Sequence, residues 1–90
     1  MAEARGGLAA ATLASRIVVI GGEVFATGTR TLDSMEIFDP AAGAWAFGPP
    51  TPIPVHGVAA AVVDGVLYLL GGSDQAGAVV NAGRVMAYVP

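Results

Sequence analysis

The sequence predicts an all-β chain made of two tandem copies of one antiparallel unit, the second copy incomplete. Short apolar runs, rich in β-branched or small residues, alternate with turn residues along the whole chain. Two of these runs end alike: Ile17-Val18-Val19-Ile20 closes on Gly21-Gly22, and Leu67-Tyr68-Leu69-Leu70 closes on Gly71-Gly72, 50 positions later. Sliding the chain on itself by that offset aligns Gly7-Leu8-Ala9-Ala10-Ala11 with Gly57-Val58-Ala59-Ala60-Ala61. It also sets Met35 on Val85, Phe38 on Tyr88 and Pro40 on Pro90. Register holds from about residue 6 to the last residue without a gap, as tandem structural repeats require.

In the first copy, residues 8–13 form a strand, Ala14-Ser15 a poor turn, and residues 17–20 the returning strand. A loop spans 23–33, a third strand 35–38, and a fourth lies around 45–47 after the turn Asp39-Pro40-Ala41-Ala42-Gly43. The second copy repeats this with a strand at 58–63, the strong two-residue hairpin turn Asp64-Gly65, a strand at 67–70, a polar loop at 73–83 and a strand at 84–88. An alanine-rich helix is the competing reading of 8–14 and 58–63, but Gly7, Gly57 and Asp64-Gly65 cut it too short. Alanine has weak β propensity, so these blocks fit strands that crowd together near a common axis.

Composition supports burial on both sheet faces. Hydrophobic residues make up 54% of the chain and charged residues 12%, about half the usual share. Such a chain is too apolar for an isolated small domain and suits a slice of a larger β core. A net charge of −3 offers no basic footprint for nucleic acid or an anionic membrane. The absence of cysteine removes disulfides, thiolate catalysis and cysteine metal ligands, and permits the cytoplasm without requiring it. Polar or turn residues break every apolar run well short of the ~18 residues of a membrane span. Arg5 followed by residues 8–14 imitates a signal peptide, yet the same segment aligns with 57–64 of the second copy and reads as a strand.

Two glycines after an apolar strand, an aromatic beside Asp-Pro, and a later tryptophan resemble the kelch motif, and the repeat length suits kelch-type β-propeller blades. The positions are Gly21, Gly22, Phe38, Asp39, Pro40 and Trp45, then Gly71, Gly72, Tyr88 and Pro90. The resemblance implies two consecutive blades of a partial kelch or galactose-oxidase-like propeller, one four-stranded and one with three strands. Blade one then covers about residues 6–48, a linker 49–55, and the incomplete blade 56–90 of a single unit spanning 1–90. Val89 departs from the pattern by replacing the aspartate, and the chain stops before a second tryptophan. That end fits the C-terminal blades of a larger propeller, completed by a strand from the far N-terminus; a truncated piece predicts the same sequence.

Antiparallel alternation brings the loops 23–33 and 73–83 and the segment 48–56 to one end of the blades. Glu23, Arg30, Asp33, His56, Asp74, Gln75 and Asn81 concentrate polar reach there, so a ligand or partner is expected to meet this end. A merely solvated rim is the competing reading. His56 is the only histidine, and without a serine, cysteine or second ligand in pattern it reads as structural. Pro49-Pro50-Thr51-Pro52-Ile53-Pro54 reads as a crossing between blades and not as a polyproline ligand, since no Lys or Arg flanks it. The Gly pairs lack the G-x-G-x-x-G spacing and the following helix of a dinucleotide site. Trp45 and Phe47 read as blade-to-blade packing, and Glu36 with Asp39 shows no glycosidase-like pairing. No catalytic, cofactor or metal-binding residue is assigned.

These readings lead to a binding scaffold for a protein or small ligand, whose partners are the remaining blades of a larger propeller or further copies of the chain. The rival is a non-catalytic slice of a propeller enzyme, a galactose-oxidase-like oxidase or a sialate mutarotase. The oxidase resemblance implies a Cys–Tyr crosslink with His and Tyr ligands, which a segment with no cysteine and one histidine does not hold by itself.

Overall fold

A computed structural model describes residues 1–25, 28–74 and 85–90, which form strands and no helix. Strands β1 (Ala9–Leu13), β2 (Arg16–Ile20), β5 (Met35–Asp39) and β6 (Ala44–Phe47) make one antiparallel sheet in the order β1-β2-β5-β6. Strands β7 (Ala59–Val63), β8 (Val66–Leu70) and β9 (Val85–Tyr88) make a second in the order β7-β8-β9. The four-plus-three arrangement is the expected one. No strand pairs with the outer edge of β9 among the described residues.

The segment 23–33, expected as a loop, carries a short antiparallel ribbon of β3 (Glu23–Val24) and β4 (Arg30–Thr31). Backbone amides and carbonyls held against the end of an apolar sheet must find partners, and Val24 and Thr31 are good strand formers. The expected loop 73–83 and the start of the strand at 84 fall largely outside the described residues, Gln75 and Asn81 among them.

Both hairpins turn on two residues with positive φ: Ala14 (52°) and Ser15 (63°) join β1 to β2, and Asp64 (50°) and Gly65 (74°) join β7 to β8. This backbone twist matches that of the flanking strands. Asp-Gly adopts it readily, whereas Ala14 and Ser15 are held there by the β1–β2 register, in which Leu13 faces Arg16.

Registers define the faces. Ala9, Ala11 and Leu13 line up with Ile20, Val18, Met35 and Ile37 on one side of the first sheet. Ala60 and Val62 line up with Leu67, Leu69, Met86 and Tyr88 on one side of the second. These sides meet in the core, joined by Val55 and Val58 from the connecting segment. The inner strands β1 and β7 lie together, where alanine side chains let the backbones approach. Alternation leaves the opposite sides open: Ala10, Thr12, Ile17, Phe38, Trp45 and Phe47 on the first sheet, and Ala59, Ala61, Val63, Tyr68, Leu70 and Val85 on the second.

The connecting segment is tied down by backbone bonds. Thr51 N–H donates to Asp33 O (2.8 Å), Val55 N–H to Leu32 O (3.2 Å) and Gly22 N–H to Val55 O (2.8 Å). Gly21 and Gly22 have positive φ (67° and 106°), and a Cβ on Gly21 would stand 2.3 Å from the Val55 carbonyl oxygen. The double glycine therefore marks the place where the chain crosses from one sheet to the next over the exit of β2. Gly21→Ala combines a left-handed backbone with a collision against main chain, and it is expected to cost about 3 kcal/mol or more. Denaturant unfolding of Gly21→Ala beside Gly43→Ala, whose added Cβ meets nothing within 4 Å and which tests the backbone effect alone, measures the collision as their difference.

Candidate ligand face and its buried ion pair

Strand directions put residues 1–8, 21–25, 28–34, 48–58 and 71–74 at one end of the sheets and the two-residue turns at the other. Every described residue among the expected loop-face positions therefore lies at the same end: Glu23, Arg30, Asp33, His56 and Asp74. Two local bridges shape it. Gly6 pairs with Glu23, and His56 pairs with Ser73, at positions related by the 50-residue offset. Gly57 N–H donates to Gly7 O (2.7 Å) and links the two inner strands at their entrance.

These bridges bring Glu23 and His56 together from different sheets, with Nε2 3.5 Å from Oε2 and both side chains half-buried. Arg30 reaches elsewhere, donating to Glu3 Oε2 at 3.3 Å from an exposed position. Asp33 acts through its main chain, whose carbonyl accepts from the Thr51 amide and hydroxyl, and its side chain is exposed. Asp74 is exposed as well. At the opposite end Asp39 accepts from the Ala41 amide (3.0 Å), fastening the turn into β6, and lies 3.7 Å from exposed Arg16.

A denser polar cluster was not among the expected positions. Arg5 is fully buried (0% side-chain exposure) and places a guanidinium nitrogen 2.7 Å from Glu36 Oε2, itself 1% exposed. Arg5 also donates to the carbonyls of Gly21 and Ser34 (2.9 Å each) and to Ser34 Oγ (3.1 Å). Its Nε finds no acceptor among the described residues. Glu36 accepts from the amides of Ala2 and Glu3, and the Ser34 hydroxyl donates to Glu3 Oε1. Residues 1–5 are thereby laid over the open face of the first sheet. Burial pushes the Glu36 carboxyl up, but the amides of Ala2 and Glu3 and the Arg5 guanidinium outweigh it and hold the group below its ordinary value of 4.5.

A family model described as the kelch motif matches residues 4–52, more than half of the chain. The chain belongs to the kelch-repeat family. Among curated relatives, it is 40% identical over 76 residues to the kelch-like protein terF of Aspergillus terreus, covering 83% of this chain and 17% of that protein. It is 37% identical over 79 residues to the kelch-like protein 35 of Mus musculus, covering 83% of this chain and 13% of that one. It thus spans less than a fifth of the length of these relatives. The solved structure of YjhT superposes with a TM-score of 0.71 at 23% identity, over 79% of this chain and 21% of that chain, and shows the fold. The two sheets are consecutive propeller blades.

The kelch repeat gives the buried pair a context. Arg5 and Glu36 occupy the repeat positions of Val55 and Met86, and that apolar pair belongs to the packing between the blades. One pair of positions thus carries hydrocarbon in one copy and an ion pair in the other. The signal was present in the sequence as two charges facing two apolar residues under the 50-residue offset.

Removing one partner leaves an uncompensated buried charge. Glu36→Met alone is expected to cost about 3–5 kcal/mol, whereas Arg5→Val with Glu36→Met is expected to return to within about 1 kcal/mol of the parent or above it. Urea unfolding of the four members of this cycle measures the coupling. The pair also sets an acid limit. Because the folded-state pKa lies below 4.5, the stabilisation is present above the ordinary value and is lost as pH falls through the folded one. Urea midpoints followed from neutral pH to about pH 3 should fall more steeply for the parent than for Glu36→Gln.

Proposed function

We propose that the chain is part of a kelch-repeat scaffold that binds a protein or small ligand through the blade end carrying Glu23, Arg30, Asp33, His56 and Asp74. The observation that supports this reading is the asymmetry between the two ends. One carries Glu23, Arg30, Asp33, His56 and Asp74 on longer segments pinned to the sheets by backbone bonds, and the other is closed by tight turns. A polar surface on a rigid base presents side chains to a partner at low ordering cost.

The two open apolar faces and the outer edge of β9 are, in this reading, where further blades complete the propeller. A groove of about 400 Å³ beside that edge, lined by Ile20, Met35, Pro50, Leu69, Met86 and Tyr88, lies where a fourth strand of blade two would pack. By the repeat offset that strand corresponds to β6 of blade one, whose Trp45 faces Phe38 with ring centroids 5.1 Å apart.

Selection of binders from a displayed random-peptide library, followed by titration against variants, tests the ligand face. Arg30→Ala and Asp74→Ala are each expected to weaken the selected peptides about tenfold or more, and Arg16→Ala at the opposite end to leave them unchanged. Binding that responds to Arg16→Ala and ignores the other two would sink the assignment of the face.

A further inference from the structure

The β3–β4 ribbon brings together side chains that the packing of the two sheets does not use. Its register sets Glu23 opposite Thr31 on one side and Val24 opposite Arg30 on the other. Phe25 follows β3 directly, two positions from Glu23, and strand alternation returns its ring to the side of Glu23. That side faces blade two, since Glu23 Oε2 lies 3.5 Å from His56 Nε2.

The three residues supply complementary chemistry. Phe25 is 56% exposed, and unlike exposed Ile17, Trp45, Phe47, Leu70 and Val85 it stands at the ligand end, off both sheets. Glu23 keeps 17% of its side chain exposed and brings a negative charge to the same side of the ribbon. The Thr31 hydroxyl, its cross-strand neighbour, is buried and bonds none of the described residues. An aromatic ring attracts an organic cation to its face, a carboxylate bonds it, and a hydroxyl accepts a further N–H.

Charge at this end has the matching sign. Both arginines described here are already held, Arg5 by Glu36 and Arg30 by Glu3. The turn end, with Arg16, Asp39 and Asp64, carries one unit of the net −3, so the rest of the negative excess belongs to the other segments. Asp33 and Asp74 are exposed among them. A field of this sign steers cations toward the surface that bears it.

We propose that Glu23, Phe25 and Thr31 form a receptor for the basic side chain, lysine or arginine, of a protein partner. This receptor rests on the ligand-face reading above and names the chemistry that the face selects. The occupant is a side chain and not a free amine because the ring lies open to solvent. A small cation meets few contacts there, whereas a polypeptide delivers its basic group while its neighbouring residues meet Arg30, Asp33 and Asp74.

The probe is acetyl-Gly-Gly-Lys-Gly-Gly-amide, titrated into the isotope-labelled chain and followed by amide chemical shifts at about pH 8, where imidazole is neutral. Saturable shifts are expected at Glu23, Phe25 and Thr31 with the lysine peptide and its arginine counterpart. The norleucine counterpart, which keeps the length without the charge, and the glutamate counterpart should bind at least about tenfold more weakly. Glu23→Gln should weaken the lysine peptide about tenfold and Phe25→Ala about threefold, while Asp39→Asn at the turn end changes nothing. Equal binding of the lysine and norleucine peptides overturns the proposal, as does indifference to Glu23→Gln or an equal loss with Asp39→Asn. Should either variant lose its β-sheet circular dichroism, Glu23→Asp and Phe25→Leu probe the same two groups with smaller changes of shape. Library peptides that need Arg30 and Asp74 yet hold no basic residue overturn the receptor and leave the ligand face standing. A lysine probe that still titrates Glu23 when the selected peptides ignore Arg30 and Asp74 supports the receptor and removes the wider face.

Discussion

Both sides of each sheet are apolar, and the fold is arranged around the need to cover them. Ile20, Val55 and Leu67 are almost wholly buried where the two blades meet, and the rest of the molecule is positioned by that contact. The connecting segment crosses the end of blade one because Val55 has to reach this interface while its carbonyl bonds Gly22. The crossing in turn requires a residue without a side chain at Gly21. The glycines, the proline-rich crossing and the alanine strands are local solutions to one packing problem. Their geometry also brings described segments of both blades to a single end, where His56 meets Glu23.

The polar counterpart of this interface is the network around Arg5 and Glu36. Burying two charges costs several kcal/mol each before their attraction and hydrogen bonds offset it, so the pair is a poor device for stability alone. Its effect is positional. The carboxylate accepts two main-chain amides from residues 2 and 3, and the guanidinium bonds two carbonyls at the exit of β2 and the entry of β5. An apolar pair would bury area there with no directional bonds. The ion pair instead determines the path of residues 1–5 over the sheet, next to the surface that carries Arg30.

Much of the architecture was legible because its signals are local. Strand positions followed from apolar runs bounded by turns, and the Asp64-Gly65 hairpin from a dipeptide whose backbone preference suits it. The expected ends differ from the observed ones by about one residue, as where Arg16 joins β2 and Asp39 joins β5. The β3–β4 ribbon escaped notice because its strands are two residues long, too short for alternation to register. The candidate ligand end was legible through strand direction, but the pairings on it were not. Arg30 meets Glu3 and His56 meets Glu23 across long sequence separations that periodicity does not encode.

The sequence by itself determined the repeat, the strand order within each blade and the family, because each is written in residue identities recurring at a fixed offset. Only the tertiary structure decided what that offset does to individual positions. Val55 and Arg5 are counterparts in register, yet one completes an apolar core and the other buries a guanidinium against Glu36. Similarly, Met35 is buried and its counterpart Val85 is exposed, although both are apolar strand residues at the same place in the repeat. Burial belongs to the neighbour that a face receives. That neighbour is set by how the blades stack in space, which no stretch of local sequence specifies.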